Sequence, residues 1–126
     1  MDIGILEDYC KDVVEWPKRW MIVDEDIEYG EKVMGVFIPF LIDIVKRGYS
    51  RRTIRNHMDN IWLLGGEIID RINLYESLRH KSPDIVVRDM VDFEGGPYSI
   101  HIDTDSERRS FDNTCRKLHN YLEQSA

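Results

Sequence analysis

Five bases fall within ten positions of the chain: Lys46, Arg47, Arg51, Arg52 and Arg55, with no acid between residues 46 and 58. The chemistry such a set offers is charge-assisted contact with an anion, above all the phosphates of a nucleic acid. Lys46 and Arg47 are expected to end one helix, and Arg51, Arg52 and Arg55 to begin the next, so all five gather around one turn. A helix start adds free backbone N–H groups and the positive end of the helix dipole. The plainer account of the same residues is a solvated face, or one paired internally with the many acids. Arg108, Arg109, Arg116 and Lys117 extend the patch if the last helix packs beside this turn.

The other chemistry-bearing residues form weaker patterns. His57, His80, His101 and His119 have no ligand spacing with one another or with Cys10 and Cys115, so no metal and no cofactor is expected. His101-Ile102-Asp103 places an imidazole and a carboxylate on one side of a short segment, but one pair lacks a third ligand or a nucleophile. His57 is expected at the surface or in a turn. Trp16, Trp20 and Trp62 lie in apolar runs, which favours packing over base stacking. Cys115 falls on an apolar stripe and reads as a small buried side chain, while Cys10 is expected to be more exposed. Gly95-Gly96-Pro97 lacks the lysine of a phosphate cradle and reads as a loop. No catalytic set emerges, and a non-enzymatic role is expected.

Charge is unevenly spread over the 126 residues. The net charge of −7 argues against nucleic-acid binding by the whole surface. Yet residues 1–45 hold 11 acids and 4 bases, and residues 59–107 hold the same numbers, so the basic segment lies between two acidic ones. Residues 108–126 return to a slight excess of bases, 4 against 2 acids. Two cysteines without a pairing pattern, no basic-then-apolar leader and no long apolar run point to a cytoplasmic protein with no membrane partner.

Several helices must position these groups. Residues 2–15 have Ile5, Leu6, Tyr9 and Val13 at helical spacing, and Trp16-Pro17 is expected to end that helix. Residues 16–23 read as an irregular apolar strap packed on the body. Asp24-Glu25-Asp26 starts a helix with apolar Val33, Phe37, Phe40, Leu41, Ile44 and Val45, and Pro39 is expected to kink or restart it. Lys46-Arg47-Gly48 closes it. Ser50 caps the next helix, whose stripe is Ile54, Met58, Ile61, Gly65, Ile68 and Ile72, with Leu64 and Ile69 beside it. Gly65-Gly66 in mid-helix implies a bend or a close neighbour. Residues 73–82 read as a loop. Ser82-Pro83-Asp84 starts a helix with Ile85, Val86, Val87, Met90, Val91 and Phe93 on its apolar face. Residues 98–103 alternate and are expected to be extended. Asp105 or Ser106 caps the last helix, with its stripe of Phe111, Cys115, Leu118 and Leu122.

The stretch Gly48-Tyr49-Ser50-Arg51-Arg52-Thr53-Ile54-Arg55-Asn56-His57-Met58-Asp59-Asn60-Ile61 resembles the start of the second helix in the core-binding, SAM-like domain of phage integrases and tyrosine recombinases. There a Gly-x-Ser turn leads into a basic helix. The run 37–45 resembles that family's first helix, 85–93 its short third helix and 113–122 its last. Trp62-Leu63-Leu64-Gly65-Gly66-Glu67-Ile68-Ile69 departs from the pattern and resembles stand-alone bacterial proteins without an assigned activity. The resemblance implies the DNA-clamp half alone, without the catalytic half. The resulting expectation is an all-α, four- to five-helix SAM-like orthogonal bundle over residues 33–126, with residues 1–32 forming an N-terminal helix and strap. Its expected role is a DNA-associated module that contacts double-stranded DNA through Lys46, Arg47, Arg51, Arg52, Arg55, Arg116 and Lys117. The alternative is an adaptor that binds another protein, or itself, and has lost DNA binding.

Overall fold

The computed structural model describes residues 3–125. Asp2, the expected start of the first helix, lies outside the described residues. The fold is all-α. Its helices are α1 (Gly4–Glu7), α2 (Trp16–Trp20), α3 (Glu25–Lys46), α4 (Arg51–Leu74), α5 (Glu76–Arg79), α6 (Pro83–Met90) and α7 (Asp105–Ser125), with a 3-10 turn at Val13–Glu15. No strand occurs among the described residues, only an isolated bridge between Asp92 and Gly95. The four helices of eight residues or more make the body, and α3 runs uninterrupted through positions 32 and 33.

The helical stripes form one core. Phe37, Phe40, Leu41 and Ile44 of α3 meet Ile54, Met58, Ile61, Leu64, Ile68 and Ile72 of α4, with Val86 and Val87 of α6 and Phe111, Cys115, Leu118 and Leu122 of α7. Each of these residues was expected on an apolar face, because spacing of three and four aligns side chains on one side of a helix. Ile85 and Phe93, expected on the apolar face near α6, are instead exposed. α6 ends at Met90, so Phe93 belongs to the following turn and escapes the helical register.

The N-terminal region departs most from expectation. Trp16-Pro17 starts a helix rather than ending one, since Pro17 sits in the first turn of α2, where a missing N–H leaves no bond unmade. Trp16 and Trp20 do pack on the body, but Met21, Ile22 and Val23 are exposed. Trp20 explains Gly65: a Cβ there would lie only 2.1 to 2.6 Å from three atoms of the indole ring. The Trp20 indole N–H also donates to the Trp62 carbonyl at 3.0 Å, fixing α2 to α4.

α3 continues through Pro39 without restarting. The carbonyl left without its usual donor belongs to Gly35, which is exposed and can be hydrated. At the start of α3, the fully buried Asp26 carboxylate accepts from the Ile22 and Val23 N–H groups at 2.8 and 3.0 Å and from Asn73 Nδ2 at 2.9 Å. Arg79 Nη1 lies 2.8 Å from its other oxygen, so a short helix, α5, occupies part of the expected loop 73–82. Burial opposes ionisation of Asp26, yet the hydrogen bonds from Val23, Ile22 and Asn73, with the Arg79 ion pair, outweigh it and hold the carboxyl below its usual pKa.

Residues 98–103, expected to be extended, instead turn, the Ile102 N–H donating to the Ser99 carbonyl at 3.4 Å and the His101 N–H to the Ser99 hydroxyl at 3.2 Å. Arg108 donates to the Gly96 and Pro97 carbonyls at 2.7 Å each and forms a two-pronged pair with Asp112. Gly95 has a φ of +143° and lies so close to Asp112 that a Cβ would clash. Thr104, not Asp105 or Ser106, caps α7. Its hydroxyl accepts from the Glu107 N–H at 3.0 Å, and the Glu107 carboxylate accepts from the Thr104 N–H at 3.1 Å.

Candidate functional site

The basic turn is built by two opposed helix ends. Gly48 takes a φ of +80°, the left-handed conformation that lets the chain leave α3 after Arg47. Ser50 then caps α4, its hydroxyl accepting from the Thr53 N–H at 3.2 Å. Lys46, Arg47, Arg51, Arg52 and Arg55 are all exposed around this turn.

Their surroundings divide them. Arg47 Nε lies 2.9 Å from the Asp43 carboxylate one turn back in α3. Arg51 turns to the N-terminal segment, where it donates to the Asp8 carbonyl and stacks 4.8 Å over the Tyr9 ring. Arg55 shares a cleft with Arg51, Asp8, Asp12 and Asp59. Lys46 and Arg52 have no ion-pair or hydrogen-bond partner among the described residues.

Of the two bases expected from α7, one joins the turn. Lys117 Nζ donates to the Tyr49 hydroxyl at 3.4 Å and lies 5.5 Å over its ring. Arg116 points to the other side and donates to the Glu94 carbonyl at 3.1 Å. Residues 116 and 117 are adjacent on a helix and cannot share a face. Lys117, and to a smaller extent Arg47, hold the Tyr49 phenol below its usual pKa.

Behind Tyr49 lies a polar chain that sequence reasoning missed. His57 is only 4% exposed, not on the surface as expected. Its ring lies 5.9 Å from that of Tyr49, and its Nδ1 is 2.7 Å from Thr114 Oγ1. Asn60 Nδ2 donates to the same hydroxyl at 2.8 Å, and that hydroxyl donates to the Ser110 carbonyl at 3.3 Å. Burial, with repulsion from Lys117, lowers the His57 pKa to about 4. A neutral imidazole therefore links α4 to α7 behind the basic turn. The signal in the sequence was a polar set at 57, 60 and 114, unreadable until α4 and α7 are paired.

The remaining candidates are placed elsewhere. Cys115 is buried as expected. Cys10 is half-buried, and burial and Asp12 raise its pKa to about 11, well away from thiolate chemistry. His101 and Asp103 are exposed, and no group of three His, Cys, Asp or Glu among the described residues is placed to hold a metal. No helix among them is long and apolar enough to cross a membrane. Trp62, expected to pack, is 43% exposed beside a cleft with Trp20, Gly66 and Glu67. The chain matches no family model, no curated protein and no solved structure.

Proposed function

We propose that the chain is a non-catalytic binding module whose α3–α4 turn contacts a polyanion, with the phosphate backbone of duplex DNA as the expected ligand. The observation that carries this reading is the arrival of Lys117 at Tyr49, 68 residues away in sequence, beside Arg47. Arg47 already has Asp43 as its counter-charge, but Lys117 has no carboxylate partner among the described residues, and a bound anion supplies one. The unpaired Lys46 and Arg52 flank the same turn, and the likeness of residues 48–61 to integrase core-binding domains points the same way. Arg51 and Arg55 sit at its margin, facing the N-terminal segment, and Arg116 has no part in the contact.

The test is fluorescence anisotropy with a labelled 20-base-pair duplex over a salt series. Four phosphate contacts predict a logarithmic salt slope of roughly −4, and Arg52→Ala plus Lys117→Ala should make it shallower by about 2. No binding at 50 mM salt, or a slope unmoved by the double substitution, would defeat the reading.

A further inference from the structure

We propose that the groove along the C-terminal half of α4 docks a basic, extended peptide segment of a partner protein, with an arginine of that segment lying against the Trp62 indole and Glu67 and Asp70 as its counter-charges. The groove is independent of the basic turn and of the polyanion reading. Its floor is Trp20 and the bare backbone of Gly66, and its walls include Trp62, Leu63 and His101. A second cleft between α4 and α7 shares Leu63 and His101 and carries the groove on to Asp59.

Gly66 is the first reason to read this as a built site. A glycine inside a helix is less favourable than alanine. Gly65 has a packing cause, because the Trp20 ring occupies the space of its Cβ. Gly66 has none: a Cβ there would meet Trp20 at an ordinary 3.7 Å. What the missing methyl leaves is an open floor. The second reason is Trp62, a large apolar ring left 43% exposed beside that floor.

The chemistry of the occupant follows from charge. Glu67 and Asp70 have no ion-pair or hydrogen-bond partner among the described residues, while the one arginine on the lining, Arg19, already has Asp12 at 3.2 Å. Unmatched carboxylates beside an exposed indole suit a flat cation, which stacks on the ring and bonds the carboxylates at its edge. The same carboxylates repel nucleic acid and acidic peptides. Length favours a peptide over a single small cation. Residues 59–70 of a helix rise about 16 Å, the reach of about five extended residues.

Isotope-labelled protein, read by the Trp62 indole N–H and the amides of Gly66, Glu67 and Asp70, provides the test. The probes are a heptapeptide alternating glycine and arginine, the same peptide with glutamate for arginine, and N-acetyl-arginine amide. The arginine peptide should give saturable shifts at these four positions, the glutamate peptide none, and the single amide affinity at least tenfold weaker. Trp62→Ala, and Glu67→Gln with Asp70→Asn, should each weaken the peptide at least tenfold. Gly66→Ala should weaken it severalfold while the melting temperature holds or rises, which separates a filled groove from a damaged fold. Absent or scattered shifts, or affinity unchanged in Trp62→Ala, would overturn the proposal. Equal affinity for the single amide would overturn it in favour of a small organic cation.

Discussion

His57 shows how one side chain ties the basic turn to the interior. Its imidazole is hydrogen-bonded to Thr114, and the Lys117 cation disfavours a second positive charge there. Its pKa in the folded chain is about 4, against an ordinary 6.5. The unfolded chain therefore takes up a proton at a pH where the folded chain does not. The stability that His57 contributes is fully present above pH 6.5 and is lost as pH falls from 6.5 towards 4. The size implied by the shift is about 3 kcal/mol at most. Urea unfolding between pH 7 and 5, above the range where most carboxylates titrate, should show a falling midpoint, and His57→Gln should flatten that slope. An identical slope in the variant would place the effect elsewhere.

Among the elements, α2 and its seat on α4 are the most demanding contact. Gly65→Ala gains helix propensity but pushes a methyl into Trp20, whose indole N–H is bound to Trp62 and cannot swing away freely. Overpacking of this kind costs about 1–3 kcal/mol, which outweighs the propensity gain of roughly 1 kcal/mol. Gly66→Ala lacks the clash and should gain up to about 1 kcal/mol. The same substitution at adjacent positions thus carries opposite signs, and thermal unfolding of the two variants reads them directly. Destabilisation by both, to the same extent, would remove the packing distinction between them. A close neighbour at this glycine pair was legible in the sequence, but the neighbour itself was not. Helical stripes depend on local spacing, so α3, α4 and α7 could be read with their buried residues. Trp16-Pro17 could not, because proline before a helix and proline after one look alike until tertiary contacts choose. The Asp26 clamp and the Arg108 loop tie depend on long-range partners, and no spacing announces those. Lys117 was legible as a base but separable from Arg116 only once α7 had a face against α4.

Across the whole molecule, charge is arranged with α4 as its axis: bases at its start, unmatched carboxylates further along. α3 follows the usual rule, with Glu25, Asp26 and Glu28 in its first turn and Lys46 in its last. α4 breaks it. Arg51 and Arg52 occupy its first turn, which has no acid, so cations face the positive end of the helix dipole. Each such charge costs about 0.3–1 kcal/mol when exposed at low salt. Arg52 has no partner to offset that cost, whereas Arg51 has Asp8 and Tyr9. On the proposed polyanion reading, bases held at a helix start against the dipole would serve the anion better than they serve the fold. Arg52→Glu therefore separates the two. It should raise stability by about 0.5–1 kcal/mol at low salt, a gain that fades as salt screens the charges. It should also lower duplex affinity at least tenfold at the same salt, since one phosphate contact is lost and one repulsion is added. Thermal melts and anisotropy on the same variant read both signs. A less stable Arg52→Glu protein would mean that the arginine supports the fold through its surroundings. A more stable variant with unchanged duplex affinity would take Arg52 out of the interface.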